Sequence, residues 1–197
     1  MYRKLKLRRT LLRFSEPGPA YVPFIGDGDI AAELYGGFSI FGADLDSQRI
    51  QAARERLAGA TLRVWDCNAW PFPRATEPFT LADFDAYSEP YASFRSFWEQ
   101  APHAEKMVLF FTDGHRQGIV RSGSWTRPDG KKVRLETTNE RRAIFNKYFG
   151  RYILPWFKEY VEPYEVKVVT KYLRGMQLYW GAVIEHGDRE SVQNGRQ

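Results

Sequence analysis

At 197 residues the chain has the length of one domain with an ample core, and its 43% hydrophobic and 27% charged content excludes an intrinsically disordered chain. A single cysteine and three histidines without ligand spacing exclude an intrachain disulfide and give no sign of a bound metal; no run is long enough to cross a bilayer. The net charge is +5, and the opening stretch has no continuous apolar core of the secretory kind, so a reducing, cytoplasmic setting without membrane association is expected.

The charge is unevenly placed. Residues 1–16 hold six Lys/Arg against one Glu, residues 115–142 hold eight against three acids, and the remainder is net acidic. Focused positive charge suits a polyanion, because phosphate neutralisation supplies a large, sequence-independent share of nucleic-acid affinity. Residues 1–16 are therefore expected as a basic arm, with Arg3, Lys4, Lys6, Arg8 and Arg9 on phosphates.

Residues 21–25 form a short β-prone run that enters Gly26-Asp27-Gly28-Asp29; residues 30–35 read as a short helix closed by Gly36-Gly37. Residues 38–43 are a second strand ending at Asp44, and Ser47 caps a helix with Ile50, Ala53 and Leu57 on one side and Gly59 at its stop. Residues 61–65 are a third strand ending at Asp66, residues 79–84 a fourth, residues 93–100 a helix, and the unbroken apolar run 107–112 a strand buried on both faces. Residues 115–136 read as a long basic loop inserted into the domain. Thr137 and Glu140 have capping-box spacing and open an aromatic helix, which Pro155 kinks or follows with the start of another turn. Two strands, 164–172 and 176–185, are joined through Arg174-Gly175 as an antiparallel hairpin, and residues 187–197 are a polar tail.

Strands alternating with helices predict an α/β fold in which residues 17–186 form one domain. Its mostly parallel seven-stranded sheet carries helices on both faces and ends in the hairpin. Right-handed crossovers bring the C-terminal ends of the parallel strands to one edge, where ligands bind in such sheets. Asp44, Asp66 and Asp85 all fall there.

"YVPFIGDGDIAAELY" places two glycines at the first strand-to-helix turn, so that a ligand can approach the backbone and the helix N-terminus. "IFGADLDSQRIQAARERL" then sets Asp44 where an acid can accept both hydroxyls of a ribose, and "RVWDCNAW" sets Asp66 where a carboxylate can accept an adenine amino proton. Together these stretches resemble the class I, Rossmann-like S-adenosylmethionine-dependent methyltransferases. The resemblance implies S-adenosylmethionine as cofactor, with methionine contacts at Phe24, Ile25, Gly26, Asp27 and Gly28, ribose contact at Asp44, and adenine contacts at Leu45, Asp66 and Cys67. Two places depart from the family: Phe24 stands where the first strand commonly ends in an acid, and Ile30 replaces a third glycine. The Pro-Phe-x-Gly-x-Gly turn of adenine-N6 DNA methyltransferases is similar to this one.

"LADFDAYSEPY" carries two carboxylates and then an aromatic where the fourth strand gives way to a loop. It resembles the strand-four motif of amino methyltransferases, and more closely that of tRNA guanine-N2 dimethyltransferases, with Asp83, Asp85, Tyr87 and Pro90 on matching places. Ala86 stands for a proline there. "FFTDGHRQG" is similar to the strand-five motif of the same family, with Thr112 and Asp113 retained. The resemblance implies Asp85 and Tyr87 as catalytic residues and Asp83 among the cofactor contacts.

The residue types suit the chemistry. An exocyclic amine is a weak nucleophile because its lone pair is delocalised into the ring; a carboxylate at Asp85 can accept its N–H, Tyr87 can stack on the base, and a paired base must first leave its stack. His115, Arg116, Arg121, Lys131, Lys132 and Arg134 would then hold phosphates. The expected activity is methyl transfer to an exocyclic base nitrogen, guanine N2 in RNA ahead of adenine N6 in DNA. Other readings left open are a small-molecule substrate and a degenerate fold that binds nucleic acid or a protein without turnover. A homodimer and a separate specificity subunit are also left open.

Overall fold

A computed structural model of the chain describes residues 2–69 and 77–187, so all but Gly187 of the expected tail lies outside the described residues. Helix α1 (Tyr2–Leu12) precedes β1 (Pro19–Pro23), α2 (Asp29–Leu34), β2 (Ser39–Asp44), α3 (Ser47–Arg56), β3 (Thr61–Val64), β4 (Phe79–Phe84), α4 (Tyr91–Gln100) and β5 (His103–Asp113). Then come α5 (His115–Arg121), β6 (Ser124–Thr126), β7 (Lys132–Arg134), α6 (Thr138–Lys147), a π-helical turn (Tyr148–Ile153), α7 (Leu154–Tyr160), β8 (Tyr164–Arg174) and β9 (Gln177–His186). Seven strands form one sheet in the order β3-β2-β1-β4-β5-β9-β8. The pairs among β1 to β5 are parallel, and β9 runs antiparallel to both β5 and β8. The expected architecture is the one observed.

Strand β5 shows how the core is built. Its central residues Met107–Phe111 are at most 1% exposed, and they alternate between two apolar clusters as a period of two demands. Met107, Leu109 and Phe111 join Phe84, Phe94, Phe97 and Trp180 in one cluster; Val108 and Phe110 join Leu7, Leu11, Ile50 and Leu81 in the other. Phe111 stacks on Trp180 with ring centroids 4.1 Å apart, a contact worth about 1 kcal/mol beyond its buried area.

Two segments differ from expectation. Residues 2–12 are not a free basic arm but a helix packed against β9, β8, β5 and α2. Lys4, Leu7, Arg8 and Leu11 recur at helical spacing, and Leu7, Arg8 and Leu11 are all at most 4% exposed. A buried arginine broke the apolar pattern, and its counter-charge lies 75 residues away. Residues 115–136 are likewise no loop. They form α5 and the β6–β7 hairpin because Ile119, Trp125 and Leu135 enter the core beside Tyr148. The capping box opens α6: the Thr137 hydroxyl accepts from the Glu140 N–H at 3.2 Å, and Glu140 Oε2 accepts from the Thr137 N–H at 2.9 Å. Pro155 sits in the first turn of α7, where no intrahelical N–H is required, so it starts a new helical segment directly after the π-helical turn.

Candidate active site

A cavity of about 530 Å³ opens at the C-terminal ends of the parallel strands, within the size range of small-molecule sites. One wall is the β1–α2 turn, Phe24 to Asp27, with Asp44; the other holds Asp85, Ala86, Tyr87 and Thr112, with Lys4 and Tyr179 beside them. Asp44 and Asp85 therefore share one hollow.

On the first wall the chain turns sharply. Gly26 and Gly28 have φ of 57° and 82°, left-handed values that favour glycine, and Phe24 takes φ of 59° without being one. The turn is pinned by Asp44, whose Oδ2 accepts from the Gly26 N–H at 3.1 Å and whose Oδ1 accepts from the Asp46 N–H at 2.9 Å. Each carboxylate oxygen retains a second lone pair, so Asp44 can still accept two hydroxyls. Beyond it Leu45 is 70% and Trp65 37% exposed, large apolar surfaces at the ends of adjacent strands. These residues fit a nucleoside whose ribose meets Asp44 and whose flat base lies over Leu45. Leu45, Asp66 and Cys67 do not line the cavity itself. Asp66 is exposed and accepts from the Asn68 N–H, a local turn bond at 2.9 Å. The Cys67 thiol is buried, accepts from the Phe24 N–H at 3.2 Å and points its own hydrogen to the Ala43 carbonyl; burial pushes its pKa up to about 12. That side chain is a small buried one that ties strand ends together.

On the second wall the two carboxylates of β4 part company. Asp83 is 1% exposed and does not line the cavity; its partners come from α1 and from the residue that follows α2. Arg8 donates to both of its oxygens at 2.7 and 2.6 Å, and the Tyr35 hydroxyl donates to Oδ2 at 2.6 Å. Asp83 and Arg8 were expected on the cofactor and on phosphate; each is instead the other's buried partner. Asp85, two residues on, emerges at the cavity. Lys4 donates to its Oδ2, Arg8 approaches Oδ1 at 3.8 Å, and the pair Lys4–Asp85 is 21% and 16% exposed at its side chains. Burial by itself would raise the Asp85 carboxyl, but Arg8 and Lys4 outweigh it and hold it below the ordinary carboxylate range. Asp85 Oδ1 and the nearby Thr112 hydroxyl are shielded from solvent and have no well-formed hydrogen bond among the described residues. Tyr87 is 90% exposed at the mouth.

The loop that carries Tyr87 is fixed from β5. The Gly114 N–H donates to the Ser88 carbonyl at 2.8 Å, and a Cβ at Gly114 would stand 2.6 Å from the Tyr87 carbonyl oxygen. Beneath it Asp113 is fully buried and accepts from the Tyr91 hydroxyl at 2.6 Å, the Tyr148 hydroxyl at 2.8 Å and the His115 N–H at 2.8 Å. Burial still raises its pKa. Arg116, expected on phosphate, is 6% exposed, with its guanidinium carbon 3.8 Å from the centroid of Phe145. Its place is inside the α5–α6 packing, because the adjacent aromatic helix covers it. Arg121, Lys131, Lys132 and Arg134 are exposed, and His115 is half-buried beside Gly114. On α1, Arg3 and Lys6 are exposed, with Arg3 over the Tyr172 ring at 4.6 Å, and Arg9 pairs with Glu33. Lys4 and Tyr179 as cavity walls were missed. The helical spacing from Lys4 to Leu11 was the available signal for the first; nothing in the sequence announces the second.

The order of strands, the antiparallel β8–β9 pair and the cavity at the strand ends define the fold of the class I S-adenosylmethionine-dependent methyltransferases. Solved structures with this fold bear it out. An S-adenosylmethionine-dependent methyltransferase from Mesorhizobium loti superposes with a TM-score of 0.58 at 16% identity, over 90% of this chain and 95% of that one. The N-methyltransferase NodS from Bradyrhizobium japonicum WM9, in complex with S-adenosyl-L-homocysteine, gives 0.57 at 12% identity over 95% and 87%. TrmN from Thermus thermophilus gives 0.53 at 15% identity, over 92% of this chain and 48% of its own. No protein-family model matches the sequence, and no curated protein matches it.

Proposed function

We propose that the chain is a methyltransferase that uses S-adenosylmethionine to methylate an exocyclic amino nitrogen of a nucleic-acid base, guanine N2 in RNA in the first place. The observation that carries this reading is the cavity joining the Gly26–Asp44 wall to the Asp85–Tyr87 wall, with the Asp85 carboxylate paired to Lys4 at its edge. Asp44 would hold the ribose hydroxyls, the Phe24–Asp27 backbone the amino-acid end, and Leu45 the adenine. When bound, the cofactor supplies an electrophilic methyl group. Asp85, held ionised by Arg8 and Lys4, would accept an amine N–H, which aligns the nitrogen lone pair toward the donor side. Transfer would form the nitrogen–carbon bond as the methyl–sulfur bond breaks, with S-adenosylhomocysteine leaving, and the nitrogen would lose its extra proton to water beside the Asp85 carboxylate. Tyr87, exposed at the mouth, stacks on the base. Most of the acceleration comes from holding two reactants in line, which is worth about 7–11 kcal/mol in well-oriented systems. Support for a nucleic-acid acceptor comes from Arg121, Lys131, Lys132 and Arg134, exposed on the unit that leaves β5 beside Tyr87.

Incubation with isotopically labelled S-adenosylmethionine and a mixture of RNA and DNA, followed by nucleoside mass spectrometry, tests this. Label on guanine N2 in RNA is expected. Label on adenine N6 reassigns the base, label on a ring carbon or ribose removes Asp85 from its role, and the absence of any thermal stabilisation by excess cofactor removes the enzyme reading.

A further inference from the structure

The geometry points to Lys4, on the N-terminal helix, as a positioning residue of the active site that fixes the Asp85 carboxylate through Oδ2 and helps to hold it ionised at the cavity wall. The inference rests on the methyl-transfer reading above and adds a second element to it. Helix α1 is not an appendage to the sheet but the part of the molecule that sets the charge state and orientation of the acceptor-binding carboxylate.

Helix α1 is held by apolar packing and by one buried ion pair. Leu7 and Leu11 are at most 4% exposed against the β5–β9 side of the sheet, and the Arg8 fork on Asp83 fixes the helix in rotation and translation. With Arg8 locked, the residue one turn earlier, Lys4, must point at the same strand one step further along, where Asp85 emerges. Lys4 and Asp85 each keep only about a fifth of their side-chain surface or less, at 21% and 16%, so solvent screens their pair far less than one on an open surface. The groups facing Asp85 are Lys4 and Arg8 from α1, Thr112 from β5 and Tyr179 from β9. Lys4 and Arg8 are the cations among them, and Arg8 is already committed to Asp83 through both oxygens. Lys4 is therefore the cation that binds Asp85 directly, and together with Arg8 it holds the carboxylate ionised at the cavity wall. An ionised carboxylate accepts an amine N–H more strongly than a protonated one, which keeps an acceptor oxygen but has lost its charge.

The pH dependence has a definite sign. Asp85 sits below its ordinary range in the folded protein, so the ionised form, and the stability that goes with it, is present above that range and is lost as pH falls through the folded value. Removal of Lys4 moves that loss to higher pH.

The test has two readouts. Carboxyl titration by carbon NMR on aspartate-labelled protein, with Asp85→Asn to assign the signal, follows Asp85 in wild type, Lys4→Met and Lys4→Arg without any cofactor or substrate. The Asp85 midpoint is expected to rise in Lys4→Met and to return toward wild type in Lys4→Arg. In methyl transfer from labelled S-adenosylmethionine to mixed RNA and DNA, Lys4→Met is expected to lower kcat about 10–100-fold with little change in KM, as loss of alignment does. The acid limb of kcat moves up with the NMR midpoint, and Lys4→Arg recovers most of the rate. An unmoved Asp85 midpoint in Lys4→Met overturns the assignment, and so does a rate loss with an unmoved acid limb. If the wild-type protein labels no nucleoside, the methyl-transfer reading falls, and with it the catalytic part of this inference. The carboxyl titration then still decides whether Lys4 governs Asp85.

Discussion

Residues 1–16 and residues 115–142 carry the same net charge in the sequence, and the fold treats them in opposite ways. In the first segment Arg8 is buried in a fork on Asp83, Lys4 is paired with Asp85 at the cavity, and Arg9 pairs with Glu33. In the second, Arg116 is folded inward over Phe145, but Arg121, Lys131 and Lys132 stay exposed and Arg134 has only an exposed pair with Glu136 at 3.4 Å. The difference lies in where the counter-charges fall. The partners of Lys4 and Arg8 sit at β4 and its C-terminal end, far off in sequence, and burial makes such a pairing structural. The acids near the β6–β7 hairpin are local and solvated, so its cations remain available to an outside anion. A tally of basic residues measures neither.

The sharpest way to break this contrast is at Arg8. Arg8→Met leaves Asp83 buried with only the Tyr35 hydroxyl and is expected to cost about 3–5 kcal/mol in urea denaturation at neutral pH. Adding Asp83→Leu removes the stranded charge, and the double variant is expected to regain most of the loss. A single variant within about 0.5 kcal/mol of wild type would mean that the helix is not anchored by this pair.

The hairpin gives the complementary result. Changing Arg121, Lys131, Lys132 and Arg134 together to Gln is expected to leave the unfolding midpoint unchanged. It should flatten the dependence of nucleic-acid affinity on salt by about 0.9 in log–log slope for every phosphate no longer neutralised, measured by fluorescence anisotropy on an RNA stem. Unchanged affinity and slope would show that the exposed cations of the second segment are as uninvolved as the buried ones of the first.

Much of the architecture was legible because it rests on periodicity. The run 107–112, the acids at strand ends and the capping box of Thr137 and Glu140 are local signals, and local physics suffices to place them. The same is true of the cavity: parallel strands bring Asp44 and Asp85 to one edge by topology alone. What could not be read was the division of labour between Asp83 and Asp85. In "DFD" the two carboxylates look alike, and strand alternation sends them both to the same side. Their fates are set by α1, which supplies Arg8 to one and Lys4 to the other. A partner 75 or 81 residues distant leaves no trace in a short stretch of sequence. The interior use of Trp125 and Arg116 was hidden for a related reason, since a stretch rich in Gly, Ser, Arg and Lys reads as solvated until the aromatic helix that covers it is in place.

That covering helix offers the smallest and most local test. No residue of α6 is fully buried, so little packing holds its first turn, and the reciprocal bonds of Thr137 and Glu140 close the backbone donors there. Thr137→Ala removes one of the two and is expected to cost about 1 kcal/mol. The bonds of Thr137 to Glu140 hold the latter's carboxyl below its ordinary value, so their contribution is present above the usual carboxylate range and fades as pH falls through the folded value. The difference in stability between wild type and Glu140→Gln should therefore shrink on acidification, since Thr137→Ala keeps the bond from the residue 137 backbone N–H to the Glu140 carboxylate. The α5–β6–β7 unit depends on this turn because Arg141, in the same helix, donates to the Leu135 carbonyl at 3.1 Å. Hydrogen exchange in β6 and β7 is then expected to quicken in Thr137→Ala while β5 stays protected, which would place the exposed cations on a separately opening part of the molecule. Equal quickening in β5 would tie that unit to the core and erase the contrast with α1.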